Sequence, residues 1–183
     1  MKIRPAHAPY ISNKIAIDLL NSGLVTMKCG IDPVKQMCLD ILDADLDLEL
    51  AVDEKARLML DQNEEEISFV SADRRNLFGR IKRRISEEMG LILDQEERFS
   101  SIAHKMMDAI WEENLVDFNA NEIRIKTIIV RSILEFMKNQ EGLEKLIEEK
   151  VANYKRALVP GSEEYEIVTQ KLYEEELKKR GIF

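Results

Sequence analysis

Apolar residues recur at three- and four-residue spacing along most of the chain, and a few glycine, proline or polar points interrupt the recurrence. A first helix is expected over about 10–22, closed by Gly23 in the position just past a helix end that favours a left-handed backbone. Asp32-Pro33 reads as a helix start, with a capping acid followed by a ring already set for the first turn. That second helix is expected to reach about residue 50, a third to follow Asp53, and a fourth to follow Ser71 or Asp73 and end at Gly90. Asp94 with Glu97 has the spacing of a capping box. Helices are then expected over about 95–114, 122–138, 141–157 and 163–180, with Pro160-Gly161-Ser162 breaking the last pair. No stretch alternates with period two for long enough to predict a strand. The expected fold class is all-α.

The same pattern repeats. Shifted by 91 residues, Ile11 falls on Ile102, Lys14 on Lys105, Leu24-Val25 on Leu115-Val116, Leu42 on Ile133 and Gly90 on Gly181. In the middle, Glu54-Lys55-Ala56 fits Glu149-Lys150-Val151 at an offset of 95. The second half thus carries extra residues near Asn139–Gly142, which the first half recovers between Asp61 and Ser71. Loop changes produce such paired slips. The chain is therefore expected to be an internal duplication of two related four-helix halves, 1–91 and 92–183. The competing explanation is that amphipathic helices match by chance because they share one period.

Composition narrows the class. Of 183 residues, 45% are apolar and 34% charged, with only 7 Gly and 4 Pro, which suits long helices joined by short connections. The formal charge of −8 makes the chain as a whole a poor match for nucleic acid or anionic lipid. No apolar run is long enough to span a membrane, and Met1-Lys2-Ile3-Arg4-Pro5 lacks the apolar core of a secretion signal. Cys29 and Cys38 are the only cysteines, and their separation points to a reducing compartment, hence the cytoplasm.

Candidate chemistry is sparse. There is no glycine-rich phosphate loop and no nucleophile elbow, so no catalytic residue is assigned and the reading leans away from an enzyme. His104 and Asp108 can share a helix face, but two ligands do not make a zinc site, so no metal or cofactor is expected. Trp111 falls on Leu20 in the repeat and reads as core packing, as does the Met106-Met107 pair.

One helix stands apart. Residues 73–89 hold six basic and three acidic side chains, whereas residues 164–180 hold four basic and five acidic. Leu77, Phe78, Ile81 and Ile85 form the apolar stripe, and Arg75, Arg80, Lys82, Arg83 and Arg84 fan over the remaining surface, with Arg74 on the stripe side. These cations have three readings. They pair with acidic helices of this chain or of a second copy, they meet nucleic-acid phosphates, or they form a solvated face.

The chain also resembles a bacterial family catalogued as domain of unknown function 507. The resemblance rests on His7-Ala8-Pro9-Tyr10, on Lys14-Ile15-Ala16-Ile17-Asp18-Leu19-Leu20, and on Asp73-Arg74-Arg75-Asn76-Leu77-Phe78. It continues through Arg98-Phe99-Ser100, Asn153-Tyr154-Lys155-Arg156, Pro160-Gly161-Ser162-Glu163-Glu164-Tyr165 and the run from Glu175 to Gly181. It implies a helical, cytoplasmic protein and carries no catalytic or binding residue with it.

The leading expectation is a non-enzymatic protein-interaction or scaffold module that meets a protein partner, a second copy included. The alternative is a nucleic-acid-binding protein using the basic helix 73–89. A third reading places an enzyme site in a cleft between the halves, near Lys14 and Lys105 or Tyr154 and Lys155.

Overall fold

The structure is a computed structural model that describes residues 3–62, 71–154 and 159–179; within these, the side chains of 71–74, 174, 177 and 178 are not described. A single 3-10 turn, Pro5–His7, leads into α1 (Ala8–Asn21), β1 (Val25–Met27), α2 (Ile31–Gln62) and α3 (Ser71–Met89). Then come α4 (Gln95–Glu112), β2 (Val116–Phe118), α5 (Glu122–Ala152) and α6 (Glu163–Lys179). The all-helical expectation holds in its coarse form, with six α-helices among the described residues.

Two expectations need correction. Asp53 does not start a helix: the segments expected at 32–50 and beyond 53 are one helix, and so are those expected at 122–138 and from 141. Good helix formers surround Asp53, and the Lys82 ammonium compensates its charge across the helix pair, so it has no reason to break the turn. Short strands also exist. β1 and β2 pair antiparallel, Val25 with Phe118, Thr26 with Asp117 and Met27 with Val116. Three residues each are too few for a period-two signal. Residues 63–70, where the first half was expected to recover its length, and Lys155 lie outside the described residues.

α2 begins at Ile31, so Asp32 lies in its first turn rather than at the cap expected for it, whereas other helix ends follow the expected chemistry. The Asp94 carboxylate accepts the Glu97 backbone N–H at 2.9 Å, capping α4. Gly23 and Gly90 have φ of +67° and +76°, the left-handed backbone that ends a helix most cheaply at glycine.

The contacts divide the chain into two units. In the unit Ile3–Ser132, α1 packs on α2, and α2 also packs against α3 and α4. Its fully buried side chains include Ile11, Ile15, Leu19, Leu42, Ile102, Met106, Ile110, Ile125 and Ile129. Under α3 lies a cluster of Val52, Ala56, Ile85 and Leu91, flanked by Leu48, Phe78, Ile81 and Met89. Burying one such Ile side chain stabilises by about 1.5–3 kcal/mol. In the unit from Ile133 onward, Leu143, Ile147 and Val151 of α5 pack against Tyr165, Leu172 and Tyr173 of α6. There the Glu176 carboxylate accepts from Lys150 at 2.5 Å and Lys179 at 2.8 Å.

Candidate interaction surface

The basic helix α3 is held by the stripe read from its sequence. Phe78, Ile81 and Ile85 face Val52 and Ala56 of α2, which turns the opposite side of α3 to solvent. Lys82 stands at the edge of that contact. Its ammonium meets the Asp53 carboxylate of α2 at 2.5 Å, with side chains 22% and 17% exposed. Lys82 is thus engaged within its own chain, the first of the three readings. Arg84 lies 3.2 Å from Glu88 one turn on, and Lys55 of α2 reaches Glu88 at 3.8 Å. Exposed pairs of this kind are worth about 0.3–0.5 kcal/mol and leave the guanidinium available.

Arg75, Arg80 and Arg83 are exposed and make no ion pair among the described residues. At about 100° per residue, Arg75, Arg83, Arg80 and Arg84 span about half the helix circumference. Asn76 and Gly79 lie within that arc, both exposed, and a methyl group at Gly79 would meet nothing within 4 Å. The result is an arginine arc with a side-chain-free point in it, over which a partner can approach the helix backbone closely. Such a surface suits carboxylates or phosphates, which guanidinium binds with two parallel hydrogen bonds.

Other candidates fare differently. Trp111 is not core: it is 54% exposed and stacks on Phe118 with ring centroids 5.1 Å apart. Leu20, its counterpart in the repeat, is 48% exposed as well. Met106 and Met107 are buried as expected. His104 and Asp108 form an exposed pair at 3.5 Å. Among the described residues no group of three or more His, Cys, Asp or Glu side chains could hold a metal ion. Lys14 pairs with Asp18 at 2.9 Å, and the same carboxylate accepts the buried Ser132 hydroxyl at 2.6 Å, tying α1 to α5. Lys105 and Tyr154 are exposed.

Two arrangements escaped the sequence reading. The first is a buried ion cluster. Arg98 of α4 reaches Asp45 at 2.6 Å and Glu49 at 2.9 Å on α2, all three side chains 15% exposed or less. Burial opposes the charged guanidinium, but the hydrogen bond and charge of Asp45, then those of Glu49, outweigh it and hold the pKa of Arg98 above its ordinary value. Its signal was present: Glu49 interrupts the apolar stripe Leu42, Leu46, Val52, Ala56 and so requires a cation. The second is a groove of about 340 Å³ lined by Ser22, Leu24, Arg124, Thr127, Ile128 and Arg131.

Over residues 1–182 the chain matches the family described as "Protein of unknown function (DUF507)", and it belongs to that family. A search of the curated proteins finds no match.

Proposed function

We propose that this member of the family is a non-enzymatic interaction module, working in the cytoplasm, that docks an acidic protein surface on the arginine arc of α3. The observation that carries the reading is the set Arg75, Arg80 and Arg83, exposed and without an ion pair among the described residues, on a helix anchored to α2 by its opposite face. Leaving three guanidinium groups clustered on one face of an acidic chain costs self-repulsion unless something anionic meets them.

The module is read as two related halves, 1–91 and 92–183, each ordered as helix, short strand, long helix, helix. Several boundaries support this. α2 and α5 start at Ile31 and Glu122, 91 residues apart, as are β1 and β2. Thr26 pairs with Asp117, its own counterpart at that offset, so the ribbon has a local two-fold axis at its centre. The basic arc has no equivalent on α6, so the docking role belongs to the first half alone.

The test uses the full chain and the variant Arg75→Glu/Arg80→Glu/Arg83→Glu, cross-linked in nuclease-treated lysate. A protein retained by the wild type and lost from the variant is expected. If nuclease removes every retained species, and the wild type binds duplex or single strand at low salt, the nucleic-acid reading replaces this one.

A further inference from the structure

The groove on α5 has a chemistry of its own. Arg124, Thr127, Ile128 and Arg131 occupy positions i, i+3, i+4 and i+7, so they share one face of the helix. The two arginines are exposed, and seven residues of helix separate them by about 10.5 Å along the axis. Between them Ile128 and, from the α1–β1 connection, Leu24 supply an apolar floor. The hydroxyl protons are already committed, Thr127 donating to the Ile123 carbonyl at 2.7 Å and Ser22 to the Leu19 carbonyl at 2.6 Å. Donors for an incoming anion therefore come from the guanidinium groups; Arg131 already has an interaction within its own chain, and a guanidinium carries several N–H donors and can take a further partner. The positions 91 residues earlier are Pro33 and Asp40, so the cationic pair has no equivalent on α2.

The complementary surface is on the same chain. On α2, Asp47, Leu50, Ala51 and Glu54 stand at the same i, i+3, i+4, i+7 positions, and all four are exposed. Asp47 and Glu54 make no ion pair among the described residues, and Leu50 is 53% exposed, large for a leucine beside two acids. The two carboxylates are separated by the same seven-residue step as the two arginines. In an antiparallel approach Arg124 faces Glu54, Arg131 faces Asp47, and Leu50 covers the floor made by Leu24 and Ile128. That direction also opposes the two helix dipoles favourably.

We propose that the Arg124–Arg131 groove receives the Asp47–Leu50–Glu54 face of a second copy of this chain. The contact shares no residue with the α3 arc and stands or falls apart from the function proposed for it. The chain carries −8 overall, so association is measured near 0.15 M salt, where long-range repulsion is screened and contact pairs survive.

The test is a reciprocal charge swap read by analytical ultracentrifugation. The wild type is expected to rise above its 21.2 kDa monomer mass with concentration. Arg124→Glu/Arg131→Glu alone and Asp47→Lys/Glu54→Lys alone each place like charges together and weaken association by at least ~10-fold. Mixed in equal amounts, they restore both complementary pairs and associate with each other. Circular dichroism confirms that each variant keeps its helices. A wild type that stays monomeric, variants that associate as well alone as mixed, or association lost instead in the α3 triple variant would each overturn the proposal. Competition by inorganic phosphate alone, with no self-association, would make the groove a small-anion site and overturn it too.

Discussion

Gly79 offers the sharpest test of how α3 is built. It stands near the middle of Ser71–Met89, on the exposed arc, and is not among the glycines with positive φ. A methyl group there meets nothing within 4 Å. Glycine in an exposed helix interior is about 0.8–1.0 kcal/mol less favourable than alanine, because the unfolded chain loses more freedom on ordering. With no clash to offset this, Gly79→Ala should stabilise the protein by nearly that full amount. The change corresponds to a rise in Tm of about 2–4 °C for a chain of this size. At ordinary slopes the urea midpoint should rise by about 0.3–1 M with the slope unchanged. Far-ultraviolet circular dichroism during urea unfolding reads both. An unchanged or lowered midpoint would refute the placement of Gly79 on an open helical face. The same variant bears on function: a more stable protein that holds its partner less well would mean the missing side chain serves close approach by the partner.

Three further outcomes follow from the packing and the charges. Arg98→Met should cost about 3–5 kcal/mol, because it strands the Asp45 and Glu49 carboxylates side by side under cover; a loss below ~1 kcal/mol in urea unfolding would show that the cluster is not buried as described. Hydrogen bonds from Lys150 and then Lys179 hold the Glu176 carboxyl at about 2, down from its ordinary 4.5. A depressed pKa stabilises above the unfolded value, so the α5–α6 contact should be fully supported above about pH 4.5 and weaken as pH falls toward 2. Hydrogen exchange should show this in wild type and a flatter profile in Glu176→Gln. The Cys38 thiol is buried and pushed up to about 12, while Cys29 is exposed; a thiol reagent should therefore modify Cys29 alone in the native protein and both residues in urea.

Local chemistry was legible from the sequence, and long-range pairing was legible only where a residue broke its own pattern. The Asp94 cap, the glycine ends at 23 and 90, and the stripe of α3 each depend on residues within a turn or two of one another, so their types and spacing suffice. Asp53 misled because a mid-helix acid and a helix-starting acid look alike until the partner, Lys82, is seen across the helix pair. Trp111 misled for a different reason: periodicity reports one face of a helix, but not whether a neighbour covers it. Of the α3 cations, Lys82 could not be separated from Arg75, Arg80 and Arg83 by sequence alone, because the α2 carboxylate that engages it is 29 residues away in the chain. The α5 groove had no sequence signal, since Ser22 and Leu24 join it only through folding.

The central claim, that the α3 arc meets a protein, is tested most directly by a photo-crosslinking amino acid placed at Asn76. This position lies inside the arc and is exposed. Irradiated in its native cell, the full chain should form discrete protein adducts from this position and none from exposed Gln36 on α2, and the Arg75→Glu/Arg80→Glu/Arg83→Glu background should abolish them. Adducts that nuclease removes, or an adduct pattern unchanged by the three glutamates, would contradict the account.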